Sequence, residues 1–364
     1  MSNESGMIPI IDLNQPDAGE RMLKACRECG FFYVDNRKGQ EIDTTVTQKL
    51  LEKSKQFHHL PQEVKNKYAI EKTLYNRGYI SQASWYYNRT KPMHEGEAPK
   101  FEKDISKPTG SESVVFCSSN WLNDVEVTGV TDGNLYPIEL GEDFPALIKS
   151  YSDYCLTLHF RIFQHLEPYL NLNKVKARDY VINNWQDAFR NLSWAFRLVR
   201  YPPLTGEISP HSDKGALTIL LQDQVGGLEI WFREKWIEVP PIQNTFVVNI
   251  GDMLQELSTE VFKSTKHRVI NKGNGERYSI PFFAQLGKSV EVFVDKEKKW
   301  YSQYEHACSV WYTSIKYLFE KVQGPHVLKG MTHQEIDRFH RELVLAEQQQ
   351  NMNVIKQNNT QQKK

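Results

Sequence analysis

Apolar positions along the chain follow two different spacings. From residue 194 onward they gather in short runs, at 194–201, 216–221, 228–232, 245–250, 278–284 and 290–294. Gly226-Gly227, Pro240-Pro241, Gly251-Asp252 and Gly273-Asn274-Gly275 stand between them as turn residues. Short apolar runs separated by turns predict strands, and many of them at close spacing predict a sandwich or barrel. Upstream the spacing is helical. Met22, Leu23, Ala25 and Cys26 mark a helix over 16–29 that Gly30 stops, and Val46, Leu50 and Phe57 mark the next. Leu60-Pro61 opens a helix carrying Val64 and Tyr68, and Leu147, Tyr151, Cys155 and Leu158 predict one from near Phe144 past His165. IPIIDL at 8–13 and FFYVD at 31–35 read as strands among these helices.

The stretch 76–130 is rich in Tyr, Trp, Gly, Ser and Asn with weak periodicity, which predicts long loops with short strands. Helical spacing returns at 313–322 and 331–347, and from Gln348 the chain is Gln, Asn and Lys, a composition that predicts a disordered tail or a frayed helix end. No internal repeat is visible. The expected class is mainly β with flanking α-helices. The expected division is 1–130 as a mixed α/β region packed on the core, 131–325 as a helix plus the β core, 326–347 as a C-terminal helix, and 348–364 as a polar tail.

Composition narrows the function. Basic and acidic residues number 45 each, so the formal net charge is zero and no basic run is present to meet a polyanion. Nucleic acid is therefore not an expected partner. No segment approaches the ~20 apolar residues that cross a bilayer, so no membrane partner is expected. MSNESGMIPIIDL lacks the cationic start and apolar stretch of a secretory signal. The five cysteines are too sparse for a disulfide framework, and the Cys26-x-x-Cys29 pair falls within a helical stretch with no second pair to complete a zinc site. The expectation is a cytoplasmic, reduced monomer.

The candidate chemistry lies in SPHSDKGALTILLQD, FKSTKHRVIN and GERYSIPFF. Residues i and i+2 of a strand share a face, so His211 and Asp213 are expected to present an imidazole and a carboxylate side by side. His267 is expected to arrive on a facing strand. Two histidines and one carboxylate on one face of a metal, with the opposite face open, suit a non-haem Fe(II) oxygenase. Zinc accepts the same donors, but zinc peptidases of that ligand type carry H-E-x-x-H on a helix, which is absent here. Arg277 and Ser279, again at i and i+2, offer a guanidinium fork and a hydroxyl to a small diacid, with Tyr201 as a third donor. His58, His59, His94, His159, His165, His306, His326, His333 and His340 read as ordinary core or surface residues. Val248, Ile250, Ile280 and Phe282 are expected to fill the barrel.

The run from Val199 to Phe283 resembles the catalytic half of the 2-oxoglutarate/Fe(II)-dependent dioxygenases of the isopenicillin N synthase-like group. RYPP, HSDKGALTILLQD, GGLEIW, FVVNIGDMLQELS, STKHRVIN and ERYSIPFF carry the likeness, and IPIIDL, CGFFYVDN, LPQEVKNKY and NRGYI extend it upstream. The resemblance implies a double-stranded β-helix (jelly-roll) core, His211, Asp213 and His267 as iron ligands, and Arg277 and Ser279 on the 5-carboxylate of 2-oxoglutarate. It implies Fe(II), 2-oxoglutarate and O2 as cofactor and co-substrates, ascorbate as an optional reductant, and hydroxylation of a small organic metabolite with release of succinate and CO2. Many plant members read Asn-x-Tyr where this chain has Val199-Arg200-Tyr201. Arg-Tyr-Pro is also the reading of isopenicillin N synthase, which uses no 2-oxoglutarate. An oxidase of that or the ethylene-forming type is thus the alternative, and a non-catalytic binding protein on the same fold is a third reading. Tyr79, Trp85, Tyr86, Tyr87 and Phe101 fall where the family builds its substrate pocket, and Phe283 is a further candidate for the pocket wall.

Overall fold

Strand pairing organises the molecule, a computed structural model that describes residues 8–70, 77–81, 110–118, 134–287 and 289–302. The expected helices at 313–322 and 331–347, the tail, and Trp85, Tyr86, Tyr87 and Phe101 lie outside the described residues. The strands are β1 (Ile10–Ile11), β2 (Phe31–Asp35), β3 (Gly78–Ile80), β4 (Glu112–Cys117), β5 (Val175–Ala177), β6 (Leu192–Tyr201), β7 (Glu207–His211) and β8 (Leu217–Gln222). They continue with β9 (Leu228–Phe232), β10 (Lys235–Glu238), β11 (Thr245–Ile250), β12 (His267–Ile270), β13 (Arg277–Gly287), β14 (Val290–Val294) and β15 (Lys299–Ser302). The α-helices are α1 (Ala18–Glu28), α2 (Thr44–His58), α3 (Gln62–Lys67), α4 (Phe144–Leu166), α5 (Trp185–Ala188) and α6 (Asp252–Leu257).

A large sheet runs in the order β1-β2-β11-β8-β13-β6-β4-β3, and a small one in the order β10-β9-β12-β7. Together they form the expected double-stranded β-helix core. A third sheet, β15-β14-β5, stands apart from both. Residues from before position 118 supply both edges of the large sheet: β1 and β2 on one side, β4 and β3 on the other. In no helix of the described residues is there a stretch long and apolar enough to cross a membrane.

The large sheet is buried on both faces, and side-chain alternation gives each face its own partner. Phe32, Val34, Phe196, Leu198, Ile219, Phe246, Val248, Ile250, Ile280 and Phe282 lie in one apolar cluster with Met22 of α1, Leu50 and Phe57 of α2, and Tyr151 and Leu158 of α4. The opposite face puts Phe31, Tyr33, Val199, Tyr201, Leu220 and Val247 against Leu228, Ile230, Ile237 and Val269 of the small sheet. This corrects the expectation for Val248, Ile250, Ile280 and Phe282. They pack beneath the helices rather than inside the barrel, because their parity along β11 and β13 is opposite to that of Asn249, Arg277 and Ser279.

The predicted strands at 31–35, 228–232, 245–250 and 290–294 coincide with β2, β9, β11 and β14, and α4 ends at Leu166. IPIIDL pairs only through Ile10 and Ile11. Apolar runs did not reveal β7, whose sequence is Glu-Ile-Ser-Pro-His and in which no residue is fully buried. It is an edge strand of the small sheet, the position where Pro210 costs no ladder hydrogen bond. Two glycines permit close crossings. A Cβ on Gly30, which has φ +69°, would stand 1.9 Å from the Lys263 carbonyl, and one on Gly251 would stand 2.1 Å from the Gly215 carbonyl. A charged cluster ties α3 to the sheet: Glu112 of β4 meets Lys65 at 3.0 Å and Arg200 of β6 at 2.5 Å, and Arg200 also meets Glu276.

His159 of α4 is fully buried, and neither ring nitrogen has a hydrogen-bond partner among the described residues. Phe160, Phe163 and Phe189 surround the ring. Burial lowers its pKa from the usual 6.5 to about 4. The unfolded chain therefore takes up the proton first as pH falls below 6.5, and the folded state loses stability down to about pH 4. For a shift of that size the loss at pH 5 is about 2 kcal/mol, at about 1.4 kcal/mol per pH unit. His159→Phe is expected to remove that share of the acid sensitivity. Urea midpoints of wild type and variant at pH 7 and pH 5 test this, and an unchanged pH dependence in the variant would refute it.

Candidate metal centre and carboxylate seat

The strands bring His211, Asp213 and His267 to one point. His211 closes β7, and β12 lies directly beside it, with His267 in register opposite His211. His267 thus comes from the hydrogen-bonded neighbour rather than from a strand across the barrel. The ring centroids are 4.3 Å apart. Asp213 is not on the strand, which ends at His211. It lies in the turn toward β8, so the shared-face argument does not place its carboxylate. The turn does, held by α6: the Asp252 amide donates to the Asp213 carbonyl at 2.7 Å, an approach that Gly251 leaves room for.

Each donor is oriented by a second contact. The Nδ1 of His211 lies 2.9 Å from the Ser209 carbonyl, and that of His267 lies 3.1 Å from the Thr265 carbonyl. A carbonyl only accepts, so each ring carries a proton on Nδ1 and turns its Nε2 edge toward Asp213. The two Nε2 atoms stand 3.9 and 3.8 Å from Asp213 Oδ1. Oδ2 is occupied, accepting from the Thr218 hydroxyl at 2.5 Å and the Asn249 amide at 2.7 Å. Burial alone would push the Asp213 carboxyl up. His267 and His211, with the Thr218 and Asn249 hydrogen bonds, outweigh it and hold the group below the usual carboxylate range. One ligand atom from each of the three residues lies within 4.8 Å of the others, the spacing of a three-donor metal site. Phe31 packs edge-on against His267, whereas the His211 side chain is 36% exposed.

Arg277 and Ser279 do share a strand face, that of β13. Arg277 is fully buried. Its Nη1 donates to Ser279 Oγ at 3.1 Å and its Nη2 to Gln222 Oε1 at 3.0 Å, while Nε has no partner among the described residues. The guanidinium lies 4.7 Å from the Tyr201 ring centre, and the Ser279 hydroxyl reaches the Tyr201 hydroxyl at 3.4 Å. Among the described residues no carboxylate pairs with this buried cation. A buried charge favours a counter-charge, and Asp223 interacts with Arg277 only electrostatically, so the arrangement can take an anion. The structure thus brings all six expected residues into two adjoining groups on the face between the two sheets.

Sequence reading missed Thr218, Gln222 and Asn249. Their mark was available: each is a polar residue inside an otherwise apolar strand, in LTILLQ and TFVVNI, and a buried polar position is the informative one. Cys26, Cys29, Cys117 and Cys155 are free and buried, and Cys26-x-x-Cys29 takes part in no metal cluster among the described residues.

Comparison with known proteins meets this geometry. The family model for the 2OG-Fe(II) oxygenase superfamily matches residues 189–286, and that for the N-terminal region of the non-haem dioxygenases in morphine synthesis matches residues 8–111. A 2-oxoglutarate-dependent dioxygenase of Trichoderma harzianum is 31% identical over 303 residues, 78% of this chain and 86% of that protein. One of Penicillium crustosum is 29% identical over 303 residues, 78% of this chain and 85% of that protein. Among solved structures, a Neurospora crassa protein in complex with alpha-KG shares the fold with a TM-score of 0.60 at 22% identity, covering 84% of this chain and 95% of the other.

The donors that hold Asp213 generate a prediction. Thr218→Val or Asn249→Leu leaves all three metal-facing atoms in place but frees Oδ2 to rotate. Either change is expected to weaken divalent metal binding about 10–100-fold, the usual effect of losing such a supporting contact. Metal titration of the folded variants measures it, and wild-type affinity in both would show that the two contacts do not orient the carboxylate.

Proposed function

Because this chain belongs to the 2-oxoglutarate/Fe(II)-dependent oxygenase family, we propose that His211, Asp213 and His267 hold its iron and that Arg277, Ser279 and Tyr201 seat its 2-oxoglutarate. The protein is an Fe(II)- and 2-oxoglutarate-dependent dioxygenase acting on a small organic molecule. Its relatives are 2-oxoglutarate-dependent dioxygenases, which favours this activity over an oxidase without the co-substrate and over a non-catalytic protein. The observation that carries the site assignment is the division of labour on Asp213. One oxygen is fully engaged by Thr218 and Asn249, and the other is turned toward the Nε2 atoms of His211 and His267.

Iron with 2-oxoglutarate and O2 supplies the oxidising chemistry when bound, releasing succinate and CO2. The residues bind, orient and exclude water. His211 and His267 would offer Nε2 to the metal, with Nδ1 engaged as a donor to the Ser209 and Thr265 carbonyls. Arg277 meets the far carboxylate of 2-oxoglutarate with a guanidinium already aligned by Gln222 and stacked on Tyr201. Ser279 adds a hydroxyl, and its bond to Tyr201 keeps that ring in place. No side chain is required as nucleophile or general base. Hydroxylation is the proposed outcome. We also propose a cytoplasmic monomer without nucleic-acid or membrane partners, supported by the balanced charge and by four buried free cysteines.

His211→Ala, Asp213→Ala and His267→Ala are each expected to abolish stoichiometric iron binding and succinate production. Full iron content in any one of them would remove that residue from the ligand set. Arg277→Lys replaces the fork by a point charge, and the 2-oxoglutarate requirement is expected to rise roughly 10–100-fold, as one charge-assisted hydrogen bond of about 1.5–3 kcal/mol is lost. Succinate formation against 2-oxoglutarate concentration reads this, and an unchanged requirement would overturn the seat.

A further inference from the structure

β6 carries two arginines on opposite faces, and their surroundings differ. Arg200 points toward the helices and meets two carboxylates, Glu112 and Glu276. Arg197 shares the parity of Val199 and Tyr201, the face between the sheets on which the metal centre lies. It is half-buried, and it forms no hydrogen bond or ion pair among the described residues. Burial acts to lower its pKa, while Cys117, Tyr201 and Asp213, the charged or ionisable groups that face it, act the other way. Asp213 does not neutralise it, since one of its oxygens is taken by Thr218 and Asn249 and the other faces the imidazoles. Arginine stays protonated at every physiological pH, so this charge stands permanently beside the metal centre.

The co-substrate leaves Arg197 unused. Arg277 lies in register opposite Tyr201, four residues further along β6 than Arg197. At about 3.3 Å per residue that is about 13 Å along the strand. The wall near Arg197 is apolar. Val115 of β4 is its cross-strand neighbour, and Val115 and Cys117 pack with Ile80 and Ala195. A guanidinium with free donors in an apolar wall recognises a carboxylate attached to an apolar body.

We propose that Arg197 anchors the substrate and that the substrate is a small carboxylic acid with an apolar body. This rests on the metal and co-substrate assignments above. It names the substrate class of that same site: the carboxylate is held by Arg197, and the body lies between the Val115–Cys117 wall and the metal centre.

The test uses iron-loaded full-length protein, without oxygen and with saturating 2-oxoglutarate. Hexanoate, benzoate and phenylpropanoate are titrated calorimetrically, each beside its neutral carboxamide. At least one acid is expected to bind wild type about tenfold or more better than its amide, the worth of one charge-assisted hydrogen bond. Arg197→Gln is expected to erase that preference, and Arg197→Lys to retain part of it. No preference in wild type, absence of binding by all three acids included, overturns the proposal, as does a preference that survives in Arg197→Gln. Titration of 2-oxoglutarate into the same proteins separates the two readings. An affinity in Arg197→Gln within about twofold of wild type assigns the loss to the substrate side, whereas a drop of about tenfold or more makes Arg197 a co-substrate residue and sinks the proposal. If wild type itself fails to bind 2-oxoglutarate, the assignment of the seat falls first.

Discussion

The large sheet has no solvent face, and the two-residue period of its strands is the constraint from which the rest follows. Each strand must satisfy two partners at once. Positions of one parity meet α1, α2 and α4, and positions of the other meet the small sheet. A shift of one residue in β13 would send Arg277 and Ser279 under the helices and bring Ile280 and Phe282 into the site. The bulk of Phe196, Phe246, Phe282 and their neighbours on the helix side therefore fixes the register that aims the functional side chains. Packing that never touches a ligand sets the geometry of the one that would.

Between the sheets, polar groups are handled in pairs rather than singly. Asp213 would be costly as a buried anion, yet Thr218 and Asn249 take one oxygen and the two imidazoles share the other. Arg277 is likewise divided between Ser279 and Gln222, which orient it without neutralising it. Arg200, on the helix side, shows the contrasting solution, a cation neutralised by Glu112 and Glu276. Among the described residues Arg277 and Arg197 pair with no such carboxylate. What separates the structural Arg200 from the two arginines proposed to bind is whether the described part of the fold supplies the anion.

The N-terminal segment is part of this design. By supplying β1 and β2 at one edge and β4 and β3 at the other, it covers strands that would otherwise offer open hydrogen-bonding edges. β2 also contributes Phe31, which fixes one side of His267. The centre is therefore assembled from parts remote in sequence, with glycines at the crossings where Lys263 and Gly215 carbonyls come too close for any side chain.

Much of this was legible before any coordinates. Apolar runs located β2, β9, β11 and β14, helical spacing located α4, and the donor types at His211, Asp213, His267, Arg277 and Ser279 pointed to their chemistry. Period and residue type are local properties, so the chain displays them directly. What the chain did not display depends on who pairs with whom. β7 escaped because an edge strand buries little and needs no apolar run. Val248, Ile250, Ile280 and Phe282 were assigned to the barrel because apolarity says that a residue is buried but not on which side of a two-faced sheet. Thr218, Asn249 and Gln222, and the side to which Arg197 turns, acquire meaning only from register, since a hydrogen bond or its absence exists between strands and not within one. The sequence by itself determined the elements and the kinds of donor; tertiary pairing decided which donors meet, because parity becomes a direction only once a neighbouring strand defines it.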